Sequence, residues 1–477
     1  MDADTVEESF AASPLSKERM LAVKVVVFAI GWAGLSGFDC VAAYMGSQEE
    51  KANIVFILSD NFRWDCMGFM GHPFIETPAL DRLAEEGIVF SNAFNTTSLC
   101  SPSRATILTG TYAHTHGVLN NHTPWTGQKA TFLEYLKKAG YETAFIGKWH
   151  MPGEGLPDMP YLDLFVSYTY REGQGSYFRC PLVVNGRPEP SQEAYITGEV
   201  TRRAIAFIEQ RASNPEVAGR PFCVYLSHRT AHPPFHAPEG FAGMYDDKEV
   251  SLPRWVDAWF SRTNGNVFQG IMMGSYKNQY RKYCEVITAM DRDIERLLVR
   301  MDELGLRENT IVIYAGDNGM MWGEHRFHGI KYPYEECIRL PLIVRSPRLI
   351  PDPGERRTQM VLNLDIAPTL LDVAGVPVPR DMEGESLVPI LKDGNSPGRR
   401  GWLLEYWKYY PENLPSYVGV RTDTHKYIEY EKSLEPELFD LTLDPKEETN
   451  LYGTPEGERI LPALKGMLED LKMGKRL

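Results

Sequence analysis

Along the chain, unbroken apolar runs alternate with stretches whose apolar residues recur every three to four positions. Asn53-Ile-Val-Phe-Ile-Leu58, Thr143-Ala-Phe-Ile-Gly147, Phe222-Cys-Val-Tyr-Leu-Ser227 and Thr310-Ile-Val-Ile-Tyr-Ala315 are such runs, the pattern of strands buried on both faces. Helical patterns lie between them. Residues 78–87 (PALDRLAEEG) end on a glycine stop, FLEYLKKAG precedes the second run, and 285–304 (EVITAMDRDIERLLVRMDEL) is strongly amphipathic. Strands alternating with helices predict an α/β fold with a mostly parallel sheet covered on both faces. Ligands of such sheets gather beyond the carboxyl ends of the strands. Here each run ends in chemistry-bearing residues: Ser59-Asp60, Lys148 and His150, the segment RTAHPPF with His232, and Asp317-Asn318.

The texture changes near residue 395. GNSPGRRGW reads as a linker, and the aromatic stretch after it (WLLEYWKYYPENLPSYVGVRTDTHKYIEYE) predicts a small antiparallel sheet with a final helix near 457–473. At the other end, a polar acidic segment precedes Met20-Leu-Ala-Val-Lys24, the apolar run Val25–Gly37 and the small residues Val41-Ala42-Ala43. This order matches a secretory signal, with Met20 as the expected start. The run is short against the roughly 20 residues of a membrane span, so an uncleaved N-terminal anchor is the alternative and the only expected membrane contact. Cys40 has no lipobox before it. The expected division is a leader at 1–47, a main domain at 48–394 and a C-terminal subdomain at 395–477, in an exported (periplasmic or secreted) protein.

Composition narrows the classes. Apolar residues make up 43% and charged residues 24% of 477, ordinary for a globular chain and unlike a disordered, collagenous or polytopic membrane protein. With 50 Lys+Arg against 64 Asp+Glu the net charge is −14, which argues against a broad nucleic-acid footprint. A small anionic substrate needs only a few local cations. Seven scattered cysteines without a CxxC pair suggest neither a disulfide scaffold nor a structural zinc.

Cys100-Ser101-Pro102-Ser103-Arg104, followed by Leu108-Thr109-Gly110, resembles the signature of the type I sulfatases. NIVFILSDN, GKWHM, AGDNG and LFDLTLDPKEETNL extend the resemblance, in order, over most of residues 52–450. It implies an alkaline-phosphatase-like mixed, mostly parallel sheet and a sulfuric ester hydrolase. It also implies that a maturation enzyme oxidises Cys100 to formylglycine. The residues are compatible with that chemistry. A thiol nucleophile needs a depressed pKa and a partner base, and no local Cys–His signature surrounds Cys100. A hydrated aldehyde instead carries two hydroxyls on one carbon: one attacks sulfur, and the other rebuilds the aldehyde and expels sulfate.

A hydroxyl nucleophile is activated by a cation, and oxygen ligands favour Ca²⁺ or Mg²⁺. The resemblance places Asp60, Asp317 and Asn318 at ligand positions beside Cys100 and implies Ca²⁺. Asn61 stands where the family commonly has a second Asp, so one formal charge is lost. Lys148 is expected to bind sulfate and His150 to orient the hydrated aldehyde, the two sharing one side of a strand end. His232 is expected to protonate the leaving oxygen, and Arg104 to support the modified residue and the ion site. The family's second sulfate-binding Lys stands four residues before the Tyr of Tyr334-Glu335-Glu336; Ile330 occupies that place and Lys331 follows. Lys331 and Asn121 are the remaining substrate-binding candidates, and His325 and His328 lie in a loop that could reach a glycan. The expected substrate is a sulfated small molecule or glycan, with a carbohydrate favoured by the long varied stretch at 155–200. The rivals are a phosphodiester or phosphonate monoester hydrolase and a non-catalytic glycan-binding relative.

Overall fold

In the computed structural model the four apolar runs become neighbouring strands of one large sheet. The structure describes residues 51–477 except 154, 169–172, 215–218, 252, 254–275, 410–413 and 432–433; the secretory-signal reading lies outside these residues. The strands are β1 (Asn53–Ser59), β2 (Ile88–Phe94), β3 (Glu142–Gly147), β4 (Leu164–Tyr168), β5 (Leu182–Val184), β6 (Arg187–Glu189), β7 (Phe222–Ser227) and β8 (Thr310–Gly316). A short pair, β9 (Met321–Trp322) and β10 (His328–Gly329), precedes β11 (Leu342–Arg345) and β12 (Glu355–Leu362). Apart from that pair they form a ten-stranded sheet in the order β12-β2-β11-β8-β1-β7-β3-β4-β5-β6. β1 runs parallel to β7 and β8, and β3 parallel to β7 and β4. β11 opposes both its neighbours, and β5 and β6 turn back at the edge. The sheet is therefore mixed and mostly parallel.

Register brings the polar strand ends to one level. Ser59 pairs with Gly316, Leu58 with Ser227, and Gly147 with Ser227. Asp60, Asp317, Lys148 and His228 thus leave the sheet side by side at its carboxyl edge.

Eight helices matter here: α1 (Pro78–Glu85), α2 (Cys100–Thr109), α3 (Phe132–Lys138), α4 (Ile196–Ser213), α5 (Tyr276–Glu303), α6 (Glu335–Ile338), α7 (Ile366–Val373) and α8 (Pro455–Lys472). Strand alternation divides β1 between two cores. Ile54, Phe56 and Leu58 pack with Ile107 of α2, Leu136 of α3 and Leu370 of α7. Val55 and Ile57 pack with Leu80 of α1, Val200 of α4 and Leu297 of α5 on the opposite face. Each fully buried side chain of this size contributes about 1.5–3 kcal/mol. Among the described residues α5 is already helical at Tyr276, upstream of 285, where Tyr276, Tyr280 and Tyr283 all lay their rings against Trp322 at 5.1–5.5 Å. Their spacing of four and three puts them on one helix face.

The aromatic C-terminal stretch forms β13 (Gly401–Tyr406), β14 (Tyr417–Thr422), β15 (His425–Tyr430) and β16 (Glu437–Asp440), antiparallel in that order. α8 covers one face with Leu461, Leu464 and Leu468. Its N-terminus is set by Thr454, which accepts a hydrogen bond from Gly457 N, and by Pro455 in the first turn. The other face buries Trp402, Leu404 and Tyr417 against Phe94 and Leu362 of the large sheet.

Candidate active site

The site assembles where the central strands end. α2 starts at Cys100 after an extended Leu99, and all ten of its residues are buried. One turn into that helix, Arg104 extends a planar fork under the strand ends. Its Nε donates to Asp317 Oδ2 at 3.0 Å and its Nη2 to Asp60 Oδ2 at 3.0 Å. Nη1 donates to the Lys148 carbonyl at 3.0 Å and to Ser227 Oγ at 2.8 Å. Lys148, fully buried, also donates to Asp60 Oδ2. Two carboxylates and two cations therefore share a volume without water access, an arrangement tolerable only when every charge is paired. Burial pushes the Asp60 carboxyl up, but Lys148 and Arg104 override it and hold Asp60 well below the ordinary carboxylate range. Burial beside ionised Asp60 pushes Asp317 up to about 6.

Cys100 Sγ lies 3.8 Å from Asp60 Oδ1 and 3.8 Å from Asn61 Oδ1. Neither partner is a histidine, and burial followed by the Asp60 charge pushes the thiol up. Asn61 has φ +51°, a left-handed conformation that Asn adopts more readily than most residues. Its N–H donates to Asp317 Oδ1 at 3.0 Å, and its Oδ1 accepts from Asn318 Nδ2 at 2.6 Å. One oxygen is left over: Asn318 Oδ1 is buried and has no partner. Donor atoms of Asp60, Cys100 and Asp317 lie within 4.8 Å of one another. Carboxylate and amide oxygens, one of them an orphaned carbonyl, fit a hard divalent cation.

Both expected histidines are at the site, by a route the sequence pattern did not anticipate. β3 stops at Gly147, so strand alternation does not place Lys148 and His150. His150 instead takes φ +50°, its carbonyl accepts from Ser101 Oγ at 2.6 Å, and its Nδ1 is buried without a partner. Burial, then Lys148, pushes its ring well below the usual value. His232 Nδ1 donates to the Pro233 carbonyl at 2.6 Å, and Nε2 accepts from Gln174 Nε2 at 2.7 Å. Burial, then Lys148, lowers its pKa to about 3, so it is neutral in this environment. Arg229, buried over the Tyr177 ring, donates to the carbonyls of Gly175, His232 and Pro233 and fixes the loop.

The outer candidates sit differently. Asn121 Oδ1 accepts from Ser101 N at 3.0 Å, filling a first-turn donor of α2. Ile330 packs into the aromatic cluster around Trp402. Lys331 has φ +84° and its carbonyl accepts from Tyr417 Oη at 2.9 Å. His325 stacks on Tyr334 at 3.8 Å, and His328 packs against Trp322 at 5.1 Å. Burial lowers the pKa of both to about 4, and both rings are half-buried against these aromatic neighbours.

Residues 52–376 match the family model described as Sulfatase. The chain belongs to the sulfatase family. It is a sulfuric ester hydrolase, and residues 323–474 of this sulfatase also match the model N-sulphoglucosamine sulphohydrolase, C-terminal. It is 30% identical to the N-acetylglucosamine-6-O-sulfatase of Bacteroides thetaiotaomicron, over 92% of this chain and 89% of that protein. It is also 30% identical to the ulvan-active sulfatase of Formosa agariphila, over 96% and 88%. Among solved structures it is similar to a complex with the substrate D-glucosamine-2-N,6-O-disulfate, with a TM-score of 0.81 and 28% identity, covering 89% of this chain and 98% of that one. The phosphonate monoester hydrolase of Agrobacterium radiobacter shares the fold, with a TM-score of 0.72 and 21% identity over 89% and 96%.

Sequence reading missed Gln174, Arg229, Ser227 and Ser101. Arg229 stands three residues before His232 and could have been suspected. Gln174 reaches His232 across 58 positions, and no local pattern announces it.

Proposed function

We propose that this sulfatase acts on a sulfated carbohydrate, with Cys100 matured to formylglycine by a separate enzyme and a divalent cation, Ca²⁺ by preference over Mg²⁺, held by Asp60, Asn61, Asp317 and Asn318 next to residue 100. The observation that carries the reading is the Cys100 side chain, aimed from a helix start at Asp60 Oδ1 and Asn61 Oδ1, each 3.8 Å away, with no histidine base on it. As formylglycine, residue 100 would supply a hydrated aldehyde, one hydroxyl to attack sulfur and the other to expel sulfate. The cation would lower the hydroxyl pKa and neutralise developing negative charge.

The remaining residues act on the substrate around that centre. Lys148 holds a sulfate oxygen with a buried, fixed ammonium, which needs no reorganisation as charge develops. Arg104 keeps Asp60 and Asp317 in place and lends a second positive charge. His150, whose Nδ1 faces the interior without a partner, orients the nucleophile and takes its proton. His232, neutral with its hydrogen on Nδ1, takes up a proton at Nε2 as the anionic substrate displaces Gln174 and passes it to the departing alcohol oxygen. Asn121 and Lys331 are the outer substrate contacts. Carbohydrate specificity is supported by the names of the relatives and by the sugar disulfate in the similar complex. Export follows from the signal-like N-terminus; among the described residues no helix is long and apolar enough to cross a membrane.

Mass spectrometry of the peptide containing Cys100, coupled to turnover of sulfated oligosaccharides, an aryl sulfate and an aryl phosphate diester, tests the proposal. Conversion of thiol to aldehyde together with release of sulfate from a sugar is the expected result. Full activity with the thiol intact would overturn the formylglycine assignment. Faster turnover of the phosphate diester would point to the phosphorus-ester alternative.

A further inference from the structure

A second group of metal-competent side chains lies outside the site described above. His325, Glu336 and Glu447 bring a ring nitrogen and two carboxylates within 4.8 Å of one another. They come from three places: the turn between β9 and β10, helix α6, and the loop after β16.

Each side chain is presented in a way that suits ligation. The His325 ring stacks on Tyr334 at 3.8 Å with planes 5° apart, which fixes the plane of the imidazole. One ring nitrogen lies within reach of the two carboxylates. Glu447 is 2% exposed; its Oε2 accepts from Glu335 N at 2.8 Å, and its Oε1 pairs with Lys426. Glu336 is the unbalanced member. Its Oε2 is buried and accepts no hydrogen bond.

Charge accounting isolates the same residue. Lys426 is shared between Glu335 and Glu447, and Arg421 goes to Glu335. Arg63 is held by Asp65 and Glu324. Among the described residues no ion pair includes Glu336. A buried carboxylate oxygen without donor or cation is costly, and Glu336 here lies beside an imidazole and a second carboxylate.

We infer that His325, Glu336 and Glu447 form a second divalent-metal site, separate from Asp60 and Asp317, that takes Zn²⁺ in preference to Ca²⁺. One imidazole with two carboxylates is a zinc-type donor set that leaves room for water. Lys426, seated on the same Glu447 oxygen, opposes the ion and limits its affinity. The position gives the site a purpose. Met320 N donates to Glu336 O at 2.8 Å and Gly319 N to Cys337 O at 2.9 Å, directly after Asp317 and Asn318. An ion bound here ties the C-terminal sheet, through Glu447, to the segment that carries two residues of the candidate active site.

The test uses the full chain saturated with Ca²⁺ and titrated with Zn²⁺, and with Co²⁺ as a spectroscopic probe. The expected result is one zinc equivalent, a rise in the thermal midpoint, and Co²⁺ visible bands from nitrogen–oxygen ligation. His325→Ala and Glu336→Gln each weaken zinc binding by about tenfold or more, while Asp317→Asn leaves this equivalent in place. No zinc equivalent in the Ca²⁺-saturated protein, or one that both variants retain within a factor of two, overturns the inference and leaves Glu336 a neutral buried carboxyl.

Discussion

Arg104 reaches Asp60, Asp317, Ser227 and the Lys148 carbonyl with one planar group, which an ammonium could not do because it has no fork. Removing it leaves two buried carboxylates side by side. Arg104→Ala is expected to lower unfolding free energy by about 3–5 kcal/mol, measured by urea denaturation; a change under about 1 kcal/mol would show the cluster to be hydrated and weakly coupled. Asn61 poses the opposite question, since it contributes oxygen without charge. Asn61→Asp is expected to tighten divalent-cation binding about tenfold, because charge count sets affinity at oxygen sites. Titration of the metal-depleted variant by calorimetry checks this, and equal or weaker binding would remove residue 61 from the proposed ligand set.

Element boundaries, rather than side chains, place Lys148 and His150. β3 ends at Gly147, which has φ +117°, and a Cβ there would stand 1.9 Å from the Ser227 carbonyl oxygen. Only glycine lets β3 and β7 approach so closely while the chain turns toward Asp60. Gly147→Ala is expected to cost about 3 kcal/mol or more and to abolish activity, read by thermal unfolding alongside aryl-sulfate turnover; a stable variant with displaced Lys148 would lose turnover alone. α2 is the element least visible in sequence. CSPSRATILT carries a proline and no amphipathic stripe, since every residue is buried and periodicity marks only helices with a wet face.

At the scale of the whole molecule, the C-terminal sheet is part of the framework around the site. Trp402 stacks on Phe94 at 5.3 Å, and Glu405 of β13 binds His114 Nδ1 at 2.8 Å, just beyond α2. The Glu405 hydrogen bond raises the His114 pKa, so the protonated form is favoured in the folded state. The stabilisation is therefore present below about pH 6.5 and fades as pH rises through the folded pKa. Because the ring is 40% exposed, His114→Gln is expected to cost only about 1 kcal/mol near pH 6 and almost nothing near pH 9. Chemical denaturation at both values decides, and a pH-independent difference would assign the contact to packing. What the chain order determined alone is local: the unbroken apolar runs that must bury both faces, the 3.6-residue stripe of α5 from residue 285 onward, and the Cys100–Arg104 motif with its family resemblance. What folding decided is relational. The level at which Asp60, Lys148 and Asp317 emerge depends on strand register. The reach of Gln174 to His232, the tyrosine face of α5 against Trp322, and the convergence of His325, Glu336 and Glu447 join positions far apart in the chain, and contacts of that kind leave no periodic trace in sequence because their partners are set by packing.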